Sequence, residues 1–217
     1  LIFVAITDLP MNATKSPRKA LPRIPAKKIP AALIYEIMDG KPVYYKGYRE
    51  VLKNEKTIEE VMGASSLQGI MVEYILRILF RQLDEKQYHI LTNEQGLHLN
   101  RKNNLSADIA IYEKTKFSVA QADKHYATIP PKIQIEVDIN ADTEGGLVET
   151  YINKKTDKLF EFGVEKVIWV LSESKKVIVA TPNANWQIID WHKDIEVIDG
   201  VIFCIGKYLM EEGSPFA

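Results

Sequence analysis

Residues 133–139 read Ile-Gln-Ile-Glu-Val-Asp-Ile, an alternation that fits a strand and fits a helix badly. Successive side chains point to opposite faces, so Ile133, Ile135, Val137 and Ile139 form an apolar face while Gln134, Glu136 and Asp138 line the other. A second strand, residues 107–112, groups Asp108, Ala110 and Tyr112 against Ala107, Ile109 and Ile111. If the two strands are neighbours, Asp108 and Glu136 share a face. Together with a helix over 147–162 and an apolar strand Val167-Ile-Trp-Val-Leu171, this is the frame on which the rest of the chain is expected to be built.

The helix sharpens the constraint. At about 100° per residue, Leu147, Val148, Tyr151, Ile152, Leu159 and Phe162 fall within an arc of roughly 140°, with Lys155 near its middle. Glu149, Thr150, Asn153, Thr156, Asp157 and Glu161 fall outside it, and Lys158 lies just inside its edge, where a lysine snorkels to water. An ammonium centred on a core-facing stripe needs a partner, because an unpaired buried charge is costly. A strand face bearing Glu136 and Asp138 supplies one.

Two carboxylates and a lysine at one end of a sheet suit metal-assisted phosphodiester hydrolysis. Carboxylate oxygens hold Mg²⁺ (or Mn²⁺), which keeps waters and takes phosphate oxygens, while a lysine offsets charge or positions the attacking water. On these residues Asp108 and Glu136 are the expected metal ligands and Lys155 completes the catalytic set. The Val137 carbonyl is a further helper, and Gln134 and Asp138 surround the site, or Asp138 ligates too.

The same residues carry a family likeness. Asp108, then Glu136-Val-Asp138 about 28 residues later, then Lys155 eight residues before Gly163-Val164, resembles the PD-(D/E)XK nuclease superfamily. Within it the pattern Ala107-Asp108, Ile135-Glu136-Val137 and Lys155 before Gly163-Val164-Glu-Lys-Val-Ile-Trp169 is similar to the Uma2 family of restriction-endonuclease-like proteins. The likeness reaches upstream to Glu36-Ile-Met-Asp-Gly40 and Gly63-Ala-Ser-Ser-Leu-Gln-Gly69. It implies an α/β (α+β) fold, a restriction-endonuclease-like mixed β-sheet flanked by helices with extra antiparallel strands. It also implies a metal-dependent endonuclease acting on nucleic acid, DNA first. Ala107 stands where the family has Pro, Gln68 where a His is common, Asp138 in the place of a Lys, and Tyr151 where an Asp is frequent; no Ser-Pro follows Ile139.

The remaining sequence sets the boundaries. With 217 residues, one domain over 33–217 is expected, preceded by a basic, Pro-rich arm over 1–32. From Pro10 to Pro30 the arm has five prolines, six lysines and arginines and no acid after Asp8, so it is read as extended chain that touches phosphates, wraps a partner or stays solvated. A net charge of −1 gives no overall attraction to nucleic acid, so binding must rest on a local patch. The apolar stretch 1–9 is too short to span a bilayer, and a cytoplasmic protein without membrane contact is expected. Cys204, the single cysteine, reads as a small core residue.

Leu67–Leu83 is a helix behind the capping residues Ser65 and Ser66. It is apolar nearly all round, so its second side is left for the arm or for a second copy of the chain, and a homodimer is one expectation. Glu73 on it reads as a structural or surface charge. Residues 88–92 and 95–99 read as a hairpin turning at Asn93-Glu94, with another turn at 101–104. The 114–131 loop carries Lys116, Lys124 and His125 as groove residues; His125 is too isolated for zinc. The sequence also supports a different class of function, a non-catalytic binding or assembly module on the same fold, in which Lys155 and Glu136 form a buried salt bridge.

Overall fold

The structure, a computed structural model, describes residues 29–143 and 148–217. The arm as far as residue 28, Gly145-Gly146 and Leu147 lie outside them. A 3₁₀ turn, Ala31–Leu33, leads into β1 (Ile34–Met38) and β2 (Lys41–Tyr44). Two short helices follow, α1 (Tyr48–Leu52) and α2 (Ile58–Met62), then the long α3 (Ser66–Gln82). The chain continues through β3 (Tyr88–Asn100), β4 (Asn103–Glu113), β5 (Ile133–Val137), α4 (Val148–Phe162), β6 (Lys166–Leu171) and β7 (Lys176–Ala180). It closes with β8 (Gln187–Asp190), β9 (Ile195–Ile198), β10 (Val201–Phe203) and α5 (Ile205–Glu211).

Eight strands make one mixed sheet in the order β2-β1-β4-β5-β6-β7-β8, with β3 on the other edge of β4. Only β5 and β6 run parallel, joined by α4 as a crossover; the β1–β2, β1–β4, β3–β4, β4–β5, β6–β7 and β7–β8 pairs are antiparallel. The alternation within β4 and β5 divides the core in two. Ile109, Ile111, Ile133, Ile135 and Val137 pack with Met71, Ile75 and Leu79 of α3 and with the β9–β10 ribbon and α5. Ala110 and Tyr112 pack on the opposite side with Ile152 and Leu159 of α4. The expected α/β arrangement of a mixed sheet flanked by helices is present.

Helix ends follow their residues. Ser65 caps α3 by accepting from Gln68 N at 3.1 Å. α4 stops at Gly163, whose φ of +117° only glycine adopts readily; Gly163 N and Val164 N both donate to Leu159 O, at 3.1 and 2.9 Å.

Several local expectations are corrected. β3 does not turn at Asn93-Glu94: it runs unbroken from Tyr88 to Asn100, and these two residues form a bulge between Thr92↔Ile109 and Gln95↔Ala107. Both have positive φ, 69° and 51°, the same local chemistry a hairpin turn uses. β5 ends at Val137, two residues earlier than the alternation indicates. Asp138 takes a φ of +60° and swings its carboxylate to Ser172, accepting from its N at 2.7 Å and its Oγ at 2.8 Å. It therefore leaves the polar face of the strand, where it was expected as a neighbour of the site or a ligand. Thr156, placed on the outer side of α4, is buried and accepts from Trp169 Nε1 at 3.0 Å. Glu73 pairs with Arg77 at 3.4 Å on the surface, as a surface charge should. Among the described residues no helix is long and apolar enough to cross a membrane.

Candidate active site

The register Ile109↔Ile135, Ala110↔Gln134 and Ile111↔Ile133 places Asp108 directly across from Glu136 on the α4 side of the sheet. Backbone pairing stops at Ile109, and the Asp108 carboxylate takes over: its Oδ2 accepts from Val137 N at 2.7 Å. Further along the same edge, β4 meets β1 through Ile37↔Asn104. β1 and β5 thus both lie on one edge of β4, and Ser106 and Asp108 occupy the gap between their pairings.

Lys155 closes that gap from α4. Its Nζ lies 2.7 Å from Glu36 Oε1 and 2.9 Å from Glu136 Oε1, with the lysine itself 0% exposed. The rings of Tyr35, Tyr151 and Trp169 stand 5.8, 6.0 and 5.6 Å from the ammonium, a favourable cation–π environment for a desolvated cation. Glu36 is tied down further: Ser106 N and Oγ donate to Oε1 at 3.0 and 3.1 Å, and Tyr151 OH donates to Oε2 at 2.8 Å. Gln134 Nε2 donates to Ser106 O at 3.0 Å and to Glu136 Oε1. Gln68 Nε2 donates to Val137 O at 2.8 Å, so the carbonyl expected to help at the site already carries an amide.

The three residues singled out from sequence are therefore brought together, with Lys155 on Glu136 and Asp108 beside it. Glu36 was not singled out, although it contacts Lys155 at the shortest distance. The available signal was a glutamate inside the otherwise apolar run Ile34-Tyr-Glu-Ile-Met38. Tyr151, at a position where the likeness leads one to look for an acid, supplies a hydroxyl to Glu36 instead.

The electrostatics follow from counting charges in a dry site. Glu36, Asp108 and Glu136 share one ammonium. Burial pushes Glu136 up to about 8, with Asp108 and Glu36 adding repulsion and Lys155 opposing it. Burial likewise pushes Asp108 up to about 6, against the pull of the Val137 amide and Lys155. Burial works against the Lys155 ammonium, but Glu136 and Glu36 together outweigh it and hold its pKa well above the ordinary lysine value. The cluster sets three carboxyl groups against one ammonium. Asp108 Oδ1 and Glu136 Oε2 make no hydrogen bond or ion pair among the described residues.

Two of the expected groove residues have partners of their own. Lys116 is held by Glu113 at 2.6 Å and Glu165 at 3.1 Å. His125 lines a cavity of about 490 Å³ over the β3–β4 pair and sits 3.3 Å from Asp123.

No family model matches the chain, and no curated protein matches it in sequence. Its fold does have a counterpart. The crystal structure of a "putative nuclease belonging to DUF820" from Anabaena variabilis ATCC 29413 is similar at a TM-score of 0.58, with 13% sequence identity, over 81% of this chain and 89% of that one. The chain shares the fold of this Uma2-family protein. At that identity the likeness is one of architecture. The Uma2-like fold is what carries β4, β5, α4 and β6 into the arrangement from which the acid–lysine cluster is made.

Proposed function

We propose that the chain is a metal-dependent endonuclease of the Uma2 type, hydrolysing phosphodiester bonds of nucleic acid, DNA first, through Asp108, Glu136 and Lys155. The observation that carries this reading is the pair of carboxyl groups facing each other across β4 and β5, each with one oxygen unbonded among the described residues, beside the ammonium of Lys155. That donor set fits a hard divalent cation. Mg²⁺ (or Mn²⁺) is commonly held by one or two carboxylates and completes its shell with water and substrate phosphate.

Asp108 and Glu136 would hold the ion, which when bound supplies Lewis acidity toward the phosphoryl group and a water of lowered pKa. The Val137 amide fixes the Asp108 carboxylate by occupying Oδ2. Lys155 and Gln134 fix Glu136 by occupying Oε1. Lys155 also offsets part of the charge that gathers when a phosphodiester approaches, and in the same position it is the group that orders the attacking water. Tyr151 and Ser106 hold Glu36 so that the ammonium stays centred. A homodimer is consistent with α3, which leaves Ile70 and Phe80 48% and 63% exposed.

One observation favours a second reading. Lys155 is wholly enclosed between two glutamates, as a structural ion pair in a non-catalytic binding module would be, and removing one partner of such a pair is costly whether or not the protein turns anything over. Incubation with plasmid, single-stranded DNA and RNA in Mg²⁺ or Mn²⁺ separates the two. Cleavage that falls to background in Asp108→Ala is the expected result. No cleavage of any of the three by the folded wild type would favour the binding module.

A further inference from the structure

Tyr126 belongs to the run Lys124-His-Tyr126, exposed throughout, and its side chain is 57% accessible. It is nevertheless held in place. Ala127 pairs with Leu97 as a short parallel bridge: Ala127 N donates to Gly96 O at 2.9 Å, and His98 N donates to Ala127 O at 2.9 Å. The ring rests on Gly96 so closely that a Cβ there would lie 2.5 Å from Tyr126 Cδ1, which only glycine avoids. The contact is possible because residue 96 has no side chain; a Cβ there would push the ring away.

Its position relates it to the acids. Gly96 pairs with Ser106, and directly opposed residues share a face. Ser106 Oγ donates to Glu36 of the acid–lysine cluster, so the Tyr126 ring lies one strand away on the same face. The Asn93-Glu94 bulge faces Asp108 between them, both residues in the left-handed region. Beside the ring is the cavity of about 490 Å³, lined by Tyr126, Phe117, His89, Leu91, Gln95 and His125. Leu91 pairs with Ala110, two residues along β4 from Asp108 on the same face. Burial, with Lys114 nearby, lowers the His89 pKa, so this imidazole is neutral at neutral pH and offers a hydrogen bond rather than a charge.

We infer that this ring and cavity receive an unpaired base of single-stranded nucleic acid, with the adjoining phosphate directed at Asp108 and Glu136; the inference rests on the nuclease reading above. Bases within a duplex are stacked on one another and cannot present a face to Tyr126, whereas every unpaired base can. The chain's net charge of −1 means that phosphate attraction alone is a weak source of affinity. Stacking supplies it instead, and Lys124, exposed two residues before the ring, is placed to meet the backbone.

The test is fluorescence anisotropy of a labelled 15-nucleotide oligothymidylate, and of the same strand annealed to oligoadenylate, with the wild-type chain in EDTA so that binding is read without metal. The single strand is expected to bind more tightly than the duplex. Tyr126→Ala should weaken single-strand binding about 5- to 150-fold, the equivalent of about 1–3 kcal/mol of stacking, while Tyr126→Phe retains it. Equal affinity for the two probes, or single-strand binding indifferent to Tyr126→Ala in a protein of unchanged melting temperature, overturns the inference. Loss of the metal site alone would leave the single-strand preference standing, so the two failures are distinct.

Discussion

Replacing Lys155 with Met should destabilise the protein by about 3–5 kcal/mol, the usual cost of removing one partner from a buried ion pair. Met is close in length, so the cavity left is small and the loss is electrostatic. Glu36 and Glu136, whose Oε1 atoms lie 2.7 and 2.9 Å from the ammonium, would face each other in a dry interior with no cation. Without the ammonium that opposes its protonation, Glu136 would be held in the protonated form still more firmly. Adding Glu36→Gln to Lys155→Met should restore part of the stability, because the amide keeps the acceptor for Ser106 N and Oγ while removing one charge. Urea unfolding of the single and double variants at pH 7.5 measures both quantities. A Lys155→Met protein as stable as wild type at pH 7.5 would mean that the cluster is open to water and not the dry site described above.

The second large effect is on pH. Glu136 is raised to about 8 and Asp108 to about 6, so both bind a proton more tightly in the folded chain than in the unfolded one. A raised folded-state pKa contributes stability that is fully present below the unfolded value and lost as the pH rises through the folded one. Stability should therefore fall between about pH 5 and pH 8, by an amount on the order of a few kcal/mol, since one pKa unit corresponds to about 1.4 kcal/mol. His89 acts in the opposite sense: its lowered pKa adds stability as the pH rises past the usual imidazole range. Asp39, Asp84, Glu113, Glu165 and Asp190 have lowered values, so their contributions are lost only in stronger acid and leave this window flat. Glu136→Gln should remove most of the slope in thermal melts across pH 5–8. A wild-type melting temperature that rises steadily over that range would contradict the placement of three carboxyl groups around one ammonium.

The parts of this arrangement that were legible in the sequence are those written in a local period. Alternation in 107–112 and 133–139 placed Asp108 and Glu136 on one face, and the helical period placed Lys155 against them; the structure brings them together as that pattern requires. Glu36 was illegible as a partner because its place depends on one long-range bridge, Ile37↔Asn104, which no local pattern encodes. Asn93-Glu94 was misread because positive φ serves a bulge and a turn equally, and only the long pairing of β3 with β4 distinguishes them. Asp138 was misread because alternation does not say where a strand ends, and an aspartate enters the left-handed region more readily than most residues. β9 and α5 went unassigned, being only four and seven residues long. Tyr126 looked like an ordinary loop residue, since its meaning lies in the strand it rests on.

Calorimetric titration of Mn²⁺ into the wild-type chain and into Glu136→Ala at neutral pH addresses the proposed site most directly. One divalent ion binding to the wild type and none to the folded variant is the expected result, with Asp108→Ala behaving like Glu136→Ala. Unchanged binding in Glu136→Ala would put the ion elsewhere, and no binding by a folded wild type would leave the cluster as a buried ion pair in a protein that does not cut nucleic acid by this route.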